Sequence, residues 1–196
     1  MFGISRQKLT RAMQKTFWVY LTNNFVIVSP GDVTARRDDG SLKLVAITPE
    51  SCGMAENFRT RDRVAEYQAK LARNEIGYFA VEADRKAVGS IWATVNRGPR
   101  SSVARAYMPL KPKEAMIHDI VTGDRFRGRG VGPFMVAAFA NALFCEHDVV
   151  RIIVDVNARN QPSLRMMEKA GLHAKERVLY ISAFGTLLAH RVLKEF

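Results

Sequence analysis

A glycine-rich turn, Arg127-Gly128-Arg129-Gly130-Val131-Gly132, constrains this chain more than any other segment. It stands between an apolar run (Ile117, Ile120, Val121) and a helical run that starts at Val131. The order is strand, turn, helix. Gly128, Gly130 and Gly132 let the backbone approach a ligand with no Cβ in the way. The first helical turn leaves N–H groups without intrahelical acceptors, at the positive end of the helix dipole. A diphosphate suits such a site. Spacing excludes two nucleotide-binding motifs. The residue three after Gly130 is Pro133, where a dinucleotide fingerprint needs glycine, and no Gly-Lys-Ser/Thr follows.

A second block follows at a fixed order along the chain. Val150 to Val156 is a β-branched strand, then come Asn157-Ala158-Arg159-Asn160-Gln161-Pro162-Ser163 and a helical run from Leu164 to Gly171. Asn160 is an N-cap candidate. Pro162 falls in the first turn, where its missing N–H costs little, and Gly171 is placed to end the helix in a left-handed cap.

Together the two blocks resemble the GCN5-related N-acetyltransferase (GNAT) superfamily. Arg127, Gly130 and Gly132 fall on its Arg/Gln-x-x-Gly-x-Gly/Ala signature. Asn160, Ser163, Glu168-Lys169 and Gly171-Leu172 fall on its Asn-x-x-Ser/Ala…Glu-Lys-x-Gly-Phe segment. The resemblance implies a single-domain α/β fold with a mixed central sheet splayed around acyl-CoA. The pantetheine amides would pair with backbone at Ile120, Val121 and Thr122, and the pyrophosphate would rest on N–H groups of Gly128, Arg129, Gly130, Val131 and Gly132. Arg127 and Arg129 would add charge there or face solvent. Asn160 and Ser163 complete the expected coenzyme-binding set.

The activity so implied is acyl-CoA-dependent N-acyl transfer, most simply acetyl from acetyl-CoA to a primary amine by direct attack on the thioester, with a strand amide stabilising the oxyanion. No metal is called for. An amine of pKa near ~10.4 must lose a proton first, at a cost of roughly 4–5 kcal/mol near pH 7, so a base is useful. His118, just before the expected acetyl site, is the candidate catalytic base, with Glu82 a weaker one. Strict strand alternation would send Asp119 to the opposite face. Met167 occupies the position where the family usually carries the tyrosine that protonates the leaving thiolate, and a thioether has no proton to give. Tyr180 is one substitute. A GNAT-fold binding or regulatory protein with a basic surface is the alternative function.

The remaining sequence bounds these readings. At 196 residues and 47% hydrophobic content the chain suits one domain, divided here as an N-terminal helix and strand extension (1–40) and an acetyltransferase domain (41–196). Cys52 and Cys145 form no metal-ligand cluster and suggest a reducing, cytoplasmic setting. No apolar run approaches the ~20 residues of a membrane span. The net charge of +11 is compatible with a nucleic-acid partner, but the basic residues are scattered, and a solvated basic surface is the default. Leu9, Met13, Phe17 and Leu21 make one stripe of an amphipathic helix over residues 5–21, which would dock on the domain or touch a membrane surface. The extension is also compatible with a homodimer. Phe25 to Val28 and Leu42 to Ile47 read as strands that pair as a hairpin or enter the sheet separately. Helices follow from Thr48 and from Thr60 to about Arg73. Antiparallel strands then flank residues 82–86, and Arg97 to Lys113 reads as an irregular loop. Two closing strands flank Phe184-Gly185.

Overall fold

A computed structural model describes residues 17–34 and 41–196. Ten strands and three α-helices occur among them. In chain order they are β1 (Phe17–Ile27), β2 (Leu42–Ala46), α1 (Arg61–Ala72), β3 (Ile76–Glu82), β4 (Ala87–Val95), β5 (Ser102–Ala104), β6 (Met108–Leu110), β7 (Glu114–Thr122), α2 (Val131–Glu146), β8 (Arg151–Asn157), α3 (Gln161–Lys169), β9 (Ala174–Ala183) and β10 (Thr186–Glu195). Eight strands form one mixed sheet in the order β10-β9-β1-β8-β7-β4-β3-β2, while β5 and β6 make a separate hairpin.

The sheet is buried on both sides along β7, where Ala115 and Ile117 face one core and Met116 another. On the first side α2 lays its Met135, Val136, Phe139 and Leu143 against Ile91, Ala93 and Ile117. On the opposite side two smaller cores sit apart. One gathers Tyr67 of α1 with Phe79 and Trp92, and the other gathers Tyr107, Met108 and Leu110 of the hairpin region with Met116, Ile153 and Tyr180. The hollow between those two cores is where the site lies.

Several sequence expectations change. The helix expected over residues 5–21 is strand from Phe17 onward, paired with β9 from Phe17↔Ala183 to Leu21↔Leu179; residues 5–16 lie outside the described residues. A four-residue apolar spacing is met equally by a helix of period 3.6 and a strand of period 2, and the aromatic and β-branched run Phe17 to Leu21 favours the strand. The strand of the expected 1–40 extension therefore lies inside the sheet, between β8 and β9. It does not pair with β2, which sits at the far edge on β3. The helix expected from Thr48 is a 3-10 turn, Cys52–Asn57. The loop expected from Arg97 to Lys113 contains the β5–β6 hairpin, anchored by the buried Ala104, Met108 and Leu110. No helix among the described residues is long and apolar enough to cross a membrane.

Gly77 of β3 is a position of close approach, since a Cβ there would stand 2.6 Å from the buried indole ring of Trp92. Gly77→Ala is expected to destabilise the protein by about 1–3 kcal/mol through overpacking. Thermal unfolding would show Tm lowered by roughly 2–4 °C per kcal/mol in a chain of this size.

Candidate active site

The parallel pairing of β7 with β8 runs only from Glu114↔Arg151 to Ile117↔Val154. Both strands continue, β7 to Thr122 and β8 to Asn157, each still paired on its outer side, to β4 and to β1. Beyond Ile117 and Val154 the two strands no longer pair. This leaves a slot edged by main-chain groups that an extended amide-bearing chain can bond as an added strand. Ile120, Val121 and Thr122 line the β7 side and are half-buried.

A bulge shapes that side. Ser90 pairs with Val121 and Trp92 with His118, so Ile91 alone faces both Asp119 and Ile120. Asp119 takes the left-handed φ of +48°. The extra residue breaks the alternation. Asp119 accordingly lies beside His118, Oδ2 to Nδ1 3.7 Å, and not on the opposite face as strict alternation would have it.

At the end of β7 the chain makes a 3-10 turn, Asp124–Phe126, and then the glycine turn. Gly128 and Gly130 both take left-handed φ, +78° and +83°, and Gly130 is the N-cap of α2. Residues Arg127 to Arg129 are exposed, and the turn is open to solvent. Gly132 is buried, and a Cβ there would stand 2.5 Å from Met166 Sδ, so glycine at this position brings α2 against α3. Arg127 pairs with Asp124 at 2.8 Å and Arg129 lies over the Phe126 ring. The Asn160 side chain caps α3, accepting from the Ser163 N–H at 3.3 Å, and Gly171 ends that region at φ +81°. Ser163 stands three residues before Met166, the residue of α3 that packs at Gly132.

On the face opposite α2, a hollow of about 500 Å³ opens where the strands part, lined among others by Trp18, Tyr20, Tyr107, His118, Asp119 and Asp155. His118 and Asp155 are the first residues past the last β7–β8 pair. The His118 ring is buried, and both nitrogens are partnered. Nδ1 lies 3.0 Å from an Arg105 guanidinium nitrogen and Nε2 lies 3.1 Å from Thr94 Oγ1. A guanidinium only donates, so geometry assigns Nδ1 as acceptor and the ring proton to Nε2. Burial lowers the His118 pKa, which keeps the ring neutral.

Asp119 binds Lys70 and, at 3.0 Å, Arg105. Burial acts to raise its pKa, but the Lys70 hydrogen bond and the cationic charges of Arg105 and Lys70 outweigh that and hold the carboxyl well below the usual range. Asp155 differs. Its Oδ2 accepts from the Tyr107 hydroxyl at 2.8 Å. Burial raises its pKa above the ordinary value, with Tyr107 and Arg105 opposing. Asp155 carries no local signal in the sequence, where it is one polar residue in an otherwise apolar strand. Arg105, which joins Asp119 to His118, fell in the supposed loop.

The other candidates sit elsewhere. Met167 is fully buried in the core beneath α3. Tyr180 is buried against Met108, accepts from Asn24 Nδ2 at 2.8 Å and is pushed up to about 12 by burial. Glu82 pairs with Leu42 near the sheet edge.

Similar folds occur among solved structures. A GCN5-related N-acetyltransferase from Kribbella flavida aligns at TM-score 0.54 and 10% identity over 91% of this chain and 64% of its own. One from Sphaerobacter thermophilus aligns at TM-score 0.55 and 16% identity over 97% and 57%. AAC(6')-Iy, solved with the bisubstrate analogue CoA-S-monomethyl-acetylneamine, aligns at TM-score 0.53 and 17% identity over 69% and 93%. The chain thus spans less than two thirds of the first two. No curated protein matches it. A family model, Acetyltransferase (GNAT) family, matches residues 44–172, well over half of the chain and including the slot, the glycine turn and α3. The chain belongs to the acetyltransferase (GNAT) family.

Proposed function

We propose that this protein is an acyl-CoA-dependent N-acyltransferase that moves acetyl from acetyl-CoA to a primary amine. The observation that carries this reading is the parting of β7 and β8 after Ile117↔Val154, with an open glycine turn at the end of β7. Ile120, Val121 and Thr122 would pair with the pantetheine arm, and Gly128 to Gly132 would receive the diphosphate on their N–H groups. Asn160 and Ser163, joined to each other by the α3 cap, would complete the coenzyme-binding set.

Asp155 takes the base role in this proposal. It lines the hollow at the fork, and Tyr107 engages only one of its oxygens among the described residues. Its raised pKa makes it a stronger base than an exposed carboxylate. His118 serves as a positioning residue, since its acceptor nitrogen faces Arg105. Asp155 accepts one proton from the ammonium and passes it to solvent. The freed nitrogen lone pair forms the new C–N bond to the thioester carbon as the C–S bond breaks, and a second nitrogen proton ends on the departing sulfur. This route needs no hydroxyl at Met167.

Gly130→Asp is expected to weaken coenzyme A binding at least ~100-fold by calorimetry, because a carboxylate enters an anion site worth several charge-assisted hydrogen bonds. Circular dichroism should stay native, and normal binding would remove the diphosphate assignment. Asp155→Asn is expected to lower kcat by about 10²–10⁴-fold. Because the base works when ionised, the wild-type rate should rise as pH climbs through the Asp155 pKa, above the usual carboxylate value of ~3.9. The variant should lose that limb. His118→Ala should keep the limb and lower kcat less; its disappearance would return the base role to His118.

A further inference from the structure

A second hollow, of about 410 Å³, adjoins the first and shares Arg105 and Asp119 with it. Its wall is cationic: Arg59, Arg63, Lys70 and Arg73 join Arg105. The carboxylates paired with these groups are Glu66 on Arg63, Glu75 on Arg73, and Asp119 on both Lys70 and Arg105. Five cations thus face three carboxylates. Arg59 makes none of these ion pairs, and its Nε is buried without a hydrogen-bond partner among the described residues. A buried unpaired donor on a cation is costly unless something accepts from it. Arg63 and Arg73, though paired with Glu66 and Glu75, keep about half or more of their side chains exposed, at 50% and 60%, on the wall of the hollow.

The position of this hollow sets it apart from the proposed diphosphate site. The glycine turn leads into α2 on one face of the sheet, whereas α1 and Arg105 lie on the other, beside the fork where Asp155 waits. A molecule that presents an amine to Asp155 can extend past Arg105 into the cationic hollow. We infer that the acceptor is an amine whose skeleton also carries an anionic group, phosphate or carboxylate, seated among Arg59, Arg63 and Arg73. This rests on the transferase reading above and narrows its substrate class. Arginine is suited to the task, since its planar fork meets both anions in bidentate fashion.

The test compares O-phosphoethanolamine, 4-aminobutyrate and butylamine as acceptors for the full chain, followed by coenzyme A thiol release. At least one anionic amine should exceed butylamine in kcat/KM, and the phosphate and carboxylate arms tell which anion the site takes. The Arg63→Ala/Arg73→Ala double variant should reduce that preference about tenfold or more, the loss expected for a charge-assisted hydrogen bond, and mainly through KM. A preference for butylamine, or a ratio unmoved in the variant, overturns the subsite. A fall in coenzyme A affinity in the variant gives the arginines to the coenzyme and overturns it as well. Should no amine turn over, the transferase reading fails, and inorganic phosphate titrated calorimetrically into wild type and variant decides the subsite by itself. Binding lost in the variant sustains it; binding absent from the wild type or unchanged in the variant overturns it.

Discussion

The separation of two parallel strands governs everything else in this molecule. Parallel neighbours hold each other through evenly spaced bonds, and to release that pairing midway leaves main-chain groups that must find another partner or water. Here the release is tolerated because each strand stays paired on its outer side, β8 with β1 throughout and β7 with β4 on both sides of the bulge. The helix α2 also clamps the β7 side through its buried Met135, Phe139 and Leu143. The sheet remains a sheet, with a wedge opened in its centre.

Titratable side chains collect at the apex of that wedge. Side chains that follow the last shared pair, His118 and Asp155, are brought onto one face by register, and the bulge at Asp119 adds a third. Arg105 and Lys70 reach the same point from the hairpin region and from α1. The outcome is two carboxylates whose proton affinities are shifted in opposite directions. Asp119, tied to two cations, is fixed as an anion, while Asp155, held by a neutral hydroxyl and half-buried, has a raised proton affinity. Environment, not residue type, sets the two apart.

How much of this was legible beforehand follows from which features are local. The glycine turn, the Asn160 cap and the Gly171 terminus are written in consecutive residues, and φ at Gly128, Gly130 and Gly171 agrees with that reading. The place of Phe17 to Leu21 was not legible, because a spacing of four residues satisfies both helix and strand and only the partner strand decides. The bulge left no local mark, since Asp119 is not glycine and its conformation is imposed by the β4 register. Arg105 and Asp155 stand 50 positions apart in the chain, and nothing short of the folded sheet puts both on the wall of one hollow. The family match covers 44–172 and so leaves out β1, although β1 supplies the outer ladder that lets β8 diverge.

That placement of β1 has a kinetic consequence. In order of synthesis β1 precedes both of its neighbours, β8 and β9, and its contacts, such as Phe17 with Ala183, close one of the longest loops the chain can form. Loop closure on this scale is slow compared with the local pairing of β3 with β4. A segment carrying Phe17, Trp18, Val19, Tyr20 and Leu21 therefore waits without strand partners while the middle of the protein assembles. Unsatisfied strands of this composition are what chaperones protect and what aggregates when they do not. The wall of the wedge supplied by β1 closes through distant contacts, so a partly folded chain would hold the glycine turn before the wedge is complete.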